Sequence, residues 1–182
     1  MKLKPIITAM LGMMSASGAF ADTGTANITF DSEVTSTTCT LEAAQHAVAS
    51  VIPDTTAKTI NAATGETEVA RSPDFALNFT ACPAGITNIN LVDVKSSGGA
   101  SLTNATTFVV PEGGTARGVA VGTTLNSTTV ALGQNVNSGI TAPVDGSGAA
   151  SFTGSNFIVH ESGVPAATGD YNTTFTLTFD WS

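Results

Sequence analysis

The chain carries a run of strict two-residue alternation near its end. Phe175, Leu177, Phe179 and Trp181 are separated by Thr176, Thr178 and Asp180. A period of two puts alternate side chains on opposite faces of an extended strand, so this segment has one apolar face to bury. The same grammar recurs along the chain. Ala26, Ile28 and Phe30, then Ser32 and Val34, share one face of "TANITFDSEVTSTTCTL". "DFALNFTAC" alternates Phe75, Leu77 and Phe79 ahead of Cys82. "INLVDVKS" offers Ile89, Leu91 and Asp93 on one face, or Val92 and Val94 on the other. "TTFVV", "RGVAVGTTL", "STTVAL" and "ASFTGSNFIVHES" supply further strands.

Gly-rich turn signals separate these strands, among them Ser97-Gly98-Gly99, Pro111-Glu112-Gly113-Gly114 and Asp145-Gly146-Ser147-Gly148. Glu42 to Ile52 has room for a short helical turn, and no longer helical period follows. Many short antiparallel strands at this spacing predict one all-β domain, a β-sandwich.

Residues 1–21 read differently. Lys2 and Lys4 precede an apolar stretch that closes on Ala19-Phe20-Ala21, the layout of a secretory signal with a small-x-small cleavage site. The competing reading, a membrane helix, needs about 20 apolar residues and is opposed by the short run and the small residues at its end. All 14 acidic residues follow residue 21, whereas two of the six basic ones precede it. Cleavage therefore takes the formal charge from −8 to −10. The remaining cations Lys58, Arg71, Lys95 and Arg117 are scattered, which argues against nucleic acid and anionic membrane as partners. In an oxidising compartment the chain's two cysteines, Cys39 and Cys82, favour a disulfide over two free thiols. Such a loop is worth roughly 4 kcal/mol in the chain-entropy model.

Parts for an enzyme are scarce. The only histidines are His46 and His160, too few to anchor a zinc site once both cysteines are paired. No G-x-S-x-G, S-x-x-K or H-E-x-x-H occurs. His160 with Glu161 reads as a solvated pair where a strand meets a loop, and Asp31 with Glu33 as an outer strand face. Five N-x-[ST] triplets start at Asn27, Asn78, Asn104, Asn126 and Asn172, and in so Thr-rich a chain most are expected by chance. Catalytic residues, metal ligands and cofactors are not expected.

The N-terminal strand has two readings. It can be the first strand of the chain's own sandwich, or a strand made for another molecule's open sheet edge.

A signal, an alternating strand, a Cys, an "F-x-L-x-F-x-x-C" strand and a final strand ending on an aromatic occur here in that order. Together they resemble the chaperone–usher pilins of the type 1 fimbrial family. "GTANITFDSEVTSTTCTL" is similar to the family's G-T-apolar-x-F-x-G-x-V start. The likeness covers both ends and the cysteines, and the middle only by strand content. It implies an incomplete immunoglobulin-like sandwich lacking its C-terminal strand, with a signal at 1–21, a donor extension at 22–36 and a pilin domain at 37–182. Ala26, Ile28, Phe30, Ser32 and Val34 would then be the donor face offered to a neighbouring subunit. Phe175, Leu177, Phe179 and Trp181 would line the groove that receives a strand. A periplasmic chaperone fills that groove first, the Ser182 carboxylate lying near its basic residues, and at an outer-membrane usher the next subunit's extension replaces it. The chain would be a structural subunit of a surface fimbria, exported through the periplasm. The alternative is a secreted, self-complete β-sandwich with an adhesin- or lectin-like role. Two positions depart from the family. Ser32 stands where it often has Gly, implying a roomier groove or a less tight fit, and Trp181 stands where it usually has Tyr.

Overall fold

A computed structural model describes the backbone of residues 24–30, and residues 39–134 and 139–182. The expected signal, Asp31, Ser32, Glu33 and Val34 lie outside the described residues. The strands in chain order are β1 (Gly24–Phe30), β2 (Thr40–Leu41), β3 (Ala47–Ile52), β4 (Glu68–Arg71), β5 (Phe75–Thr80), β6 (Asn88–Ser96), β7 (Gly99–Ala100) and β8 (Val109–Val110). There follow β9 (Gly113–Gly114), β10 (Val119–Leu125), β11 (Thr128–Thr129), β12 (Gly133–Gln134), β13 (Thr141–Pro143), β14 (Ala150–His160) and β15 (Tyr171–Trp181). The one α-helix among the described residues is α1 (Ala57–Ala62), started by the Thr56 hydroxyl, which accepts from the Thr59 amide at 3.1 Å.

The strands form two curled, mostly antiparallel sheets. One runs β12-β6-β15-β1-β3, with β13 also on β6 and β9 on β15. The other runs β2-β5-β14-β10-β8-β7, with β11 on β10 and β4 on β14. The all-β expectation holds. One apolar core takes Ile52, Ile89, Leu91, Phe175 and Leu177 from the first sheet and Leu77, Phe79, Val121, Phe152 and Ile158 from the second. At its centre the Phe79, Phe152 and Phe179 rings meet with centroids 5.1–6.1 Å apart. Edge and tilted contacts of this kind satisfy the ring quadrupoles.

The second sheet is apolar on both faces near β10, every residue of which is buried. Its outer face carries a small separate cluster of Phe108, Ala120, Phe157 and Val159. Gly122 makes the approach possible, since a Cβ there would lie 2.8 Å from both the Phe108 and Phe157 rings. A two-residue turn at Asn126-Ser127 joins β10 to β11, both residues having positive φ (48° and 63°). That is the handedness a tight hairpin needs, supplied without glycine.

The ambiguity in β6 resolves by a bulge. Its ladder with β15 steps from Thr178↔Asp93 to Phe179↔Leu91, skipping Val92. Ile89 and Leu91 therefore face the core before the slip and Val94 after it. Asp93, caught at the slip, is 7% exposed and lies 3.5 Å from the Lys95 ammonium.

The short helical turn expected within Glu42 to Ile52 is present, and one other local expectation is corrected. A 3-10 turn covers only Ala43–Gln45, and β3 follows because Val48, Val51 and Ile52 suit a strand and β1 pairs with it. Glu161 is not a solvated partner of His160. It is 2% exposed and accepts from the Ser101 hydroxyl and the Leu102 amide, pinning the loop after β7 to the end of β14.

Cys39 and Cys82 form a disulfide, S–S 2.05 Å. It closes the end of the β2–β5 ladder, where Leu41 pairs with Phe79. The Asp145 carboxylate organises the adjoining loop, accepting from the Ser147 amide and hydroxyl and the Ala149 amide. Those bonds hold its carboxyl below the usual carboxylate range.

Phe152→Ala is expected to cost about 3–5 kcal/mol, read as a lowered urea midpoint at unchanged slope. Replacing both cysteines by serine is expected to cost about 2–5 kcal/mol and to cut recovery of folded protein.

Candidate strand-acceptor groove

β15 is the spine of the first sheet. Tyr171, Thr173, Phe175 and Leu177 are buried along one face, while Asn172 is exposed and Thr174 and Thr176 are half-buried. One edge of β15 pairs with β6 from Phe175↔Ser96 to Trp181↔Ile89. The other edge pairs with β1, in parallel, from Thr25↔Asn172 to Phe30↔Leu177. Every other ladder among the described residues is antiparallel.

β1 also pairs antiparallel with β3, from Gly24↔Ile52 to Thr29↔Ala47. It is the only sheet partner of β3 among the described residues. The first sheet therefore contains a slot one strand wide. Its walls are β3 and β15, its floor is the shared core, and β1 is its occupant. Two neighbour spacings of about 4.8 Å separate the walls. Of the residues named as a donor face, Ala26, Ile28 and Phe30 stand at register positions opposite Thr173, Phe175 and Leu177.

The expected groove residues divide. Phe175 and Leu177 are fully buried, Phe179 is half-buried within the ring cluster, and Trp181 is half-exposed. Ser182 is held by this chain itself. The Thr87 and Asn88 amides donate to its carbonyl oxygen at 2.7 and 3.0 Å, and its own amide donates to Asn88.

Two polar atoms in the walls carry a signal that sequence reading did not find. The Ser50 hydroxyl on β3 and the Thr173 hydroxyl on β15 are buried and have no hydrogen-bond partner among the described residues. Both flank the same position of β1, Ala26. Only the β1 register reveals that they share a level, because Ser50 and Thr173 are 123 residues apart.

Elsewhere the surface offers little chemistry. No group of three or more His, Cys, Asp and Glu able to hold a metal occurs among the described residues. The His46 and His160 Nε2 atoms lie 3.2 and 3.0 Å from the Leu41 and Val164 carbonyl oxygens. A polar recess of about 300 Å³ is lined by Arg71, Asp74, Thr124, Asn126, Ser127 and Ser155. Its Arg71 guanidinium is fixed by Glu68, by the Thr124 and Ser155 hydroxyls, and by stacking 4.9 Å over Phe157. Among the described residues no helix is long and apolar enough to cross a membrane.

No family model matches the chain, and no curated protein does either.

Tyr171, the only tyrosine, closes one end of the groove face. Burial pushes its phenol well above the ordinary value of about 10, and the Asp54 charge pushes it further. The neutral phenol is thus favoured in the fold. That contribution is complete below pH about 10 and is lost as pH rises toward the folded value. Tyrosinate absorbance in the native protein is expected to lag that of the urea-unfolded chain, and Tyr171→Phe should flatten the alkaline loss of stability. Coincident native and unfolded titrations would contradict this environment.

Proposed function

We propose that the chain is a structural subunit of a bacterial surface fimbria, assembled by strand donation. The observation that carries the reading is the slot between β3 and β15, filled by an N-terminal strand and by nothing else in the described chain. An immunoglobulin-like sandwich lacking its last strand has such a gap, and its unpaired walls need an outside strand. In this reading a periplasmic chaperone fills the slot during export. At an outer-membrane usher the residue 22–36 extension of a neighbouring subunit then replaces the chaperone's strand. Ala26, Ile28, Phe30, Ser32 and Val34 are the donated face. Backbone hydrogen bonds supply affinity, and alternate side chains supply specificity. The absence of a catalytic constellation in the sequence agrees with a structural role.

One observation favours a second reading. The slot is filled by the chain's own β1, as a self-complete secreted β-sandwich requires. The Arg71 recess would then be its binding surface, in an adhesin- or lectin-like role.

Phe30→Asp in the full chain separates the two. A charge at that register position is poorly tolerated opposite buried Leu177. A fibre subunit with this change should lose the ability to lengthen a fibre while still accepting a wild-type strand, so it should form capped short oligomers with wild-type protein by size-exclusion chromatography. If Phe30→Asp protein extends polymers as wild type does, strand donation by this segment is wrong. If neither protein ever leaves the monomer, at any concentration or with any periplasmic chaperone, the self-complete reading stands.

A further inference from the structure

Each sheet has one polar level on its core-facing side. In the first sheet Ser50 on β3 and Thr173 on β15 share a level, with Ile52 and Tyr171 one step to one side and Val48 and Phe175 one step to the other. In the second sheet Asn156 on β14 pairs with Thr123 on β10, between the pairs Ile158↔Val121 and Gly154↔Leu125. Ile158, Val121 and Leu125 belong to the apolar core, and Asn156 and Thr123 share their parity. Ser72, just past β4, joins the same level. Its amide donates to the Asn156 carbonyl at 2.8 Å, and its hydroxyl accepts from the Asn156 amide at 3.0 Å. Each of these polar residues is buried, Asn156 completely. Ser50 Oγ, Thr173 Oγ1 and both Oδ1 and Nδ2 of Asn156 have no hydrogen-bond partner among the described residues.

Two contacts set these levels against each other across the core. The Phe152 and Phe179 rings meet at 5.1 Å, and Ile158 and Tyr171 line one recess. The facing strands β14 and β15 therefore run in opposite senses. Asn156, one step from Ile158, comes to the level of Thr173, one step from Tyr171. β3 also approaches β14 across the core. The two polar levels thus meet as one layer through an otherwise apolar interior. Ser50 and Thr173 stand two strand spacings apart, about 9.6 Å, too far for a direct hydrogen bond. A buried carboxamide and two buried hydroxyls left unpaired carry their full desolvation penalty. We propose that this layer is an internal hydration site, in which ordered water bridges the Asn156 carboxamide on one sheet to the Ser50 and Thr173 hydroxyls on the other. Water suits this set because it donates and accepts at once: the carboxamide needs a donor at Oδ1 and an acceptor at Nδ2, and each hydroxyl takes either role. The site goes beyond both readings of the slot and depends on neither.

Oxygen-17 magnetic relaxation dispersion on the full mature chain counts long-lived internal water and is blind to exchanging hydroxyl protons. Wild-type protein is expected to exceed a chain carrying Ser50→Ala, Thr173→Val and Asn156→Leu together by at least about one such water. Equal dispersion in the two proteins overturns the site. A second readout needs no variant, so it stands even where the triple replacement prevents folding. The Asn156 side-chain amide protons of the wild type should show cross-peaks at the water frequency. Cross-peaks to Ser50, Thr173 or other side chains alone mean direct pairing and overturn the site. Stability supplies the sign. Thr173→Val is nearly isosteric and takes one bond from the bridging water, so it should lower the folding equilibrium constant about two- to tenfold. In a dry layer the same change removes an orphaned hydroxyl and raises that constant, and a rise contradicts the proposal.

Discussion

The fold depends on pairing the second edge of β15. That strand carries fully buried side chains from both halves of its length, and β6 satisfies only one of its edges. Buried amides and carbonyls left without partners each cost on the order of 1–3 kcal/mol. β3 is in a worse position, since its one ladder among the described residues is also with β1. A single seven-residue strand therefore joins the two walls. The rest of the architecture can tolerate local irregularity, such as the β6 bulge or the glycine-free hairpin at Asn126-Ser127. It cannot tolerate an empty slot.

The second sheet is built on the opposite principle. β14 pairs with β5 through Ala150–Gly154 and with β4 through Phe157–Val159 on one side, and with β10 along the other. Its β10 neighbour is buried on both faces, and the disulfide fastens its β2–β5 margin. Gly154 shows how tightly this sheet is packed, as a Cβ there would come within 2.5 Å of the Phe75 ring. The molecule thus joins one sheet that is complete without residues 24–30 to one that is not.

How much of this was legible in the sequence follows from what each signal encodes. Alternation is a local property, so β5, β10, β14 and β15 could be read from residue order, and the two cysteines from their number and context. β3 could not, because "AVASVI" alternates weakly and becomes a strand through its pairing with β1. α1 rests on a single Thr56 cap and one buried residue, Ile60. The β6 face was undecidable while Asp93 and Val94 sat on opposite parities; the bulge at Val92 uses both. Glu161 looked solvated because its partners, Ser101 and Leu102, lie about 60 residues earlier. The Ser50–Thr173 level is the extreme case. Neither residue is distinctive, and their relation exists only through the register of a third strand.

The direction of β1 bears on how firmly it holds the slot. Parallel pairing is slightly weaker per residue than antiparallel. The tether compensates, because a strand joined to its own domain by a short linker acts at an effective concentration of order mM. A strand from another molecule present at about 1 μM must bind roughly a thousandfold better, about 4 kcal/mol, to displace it.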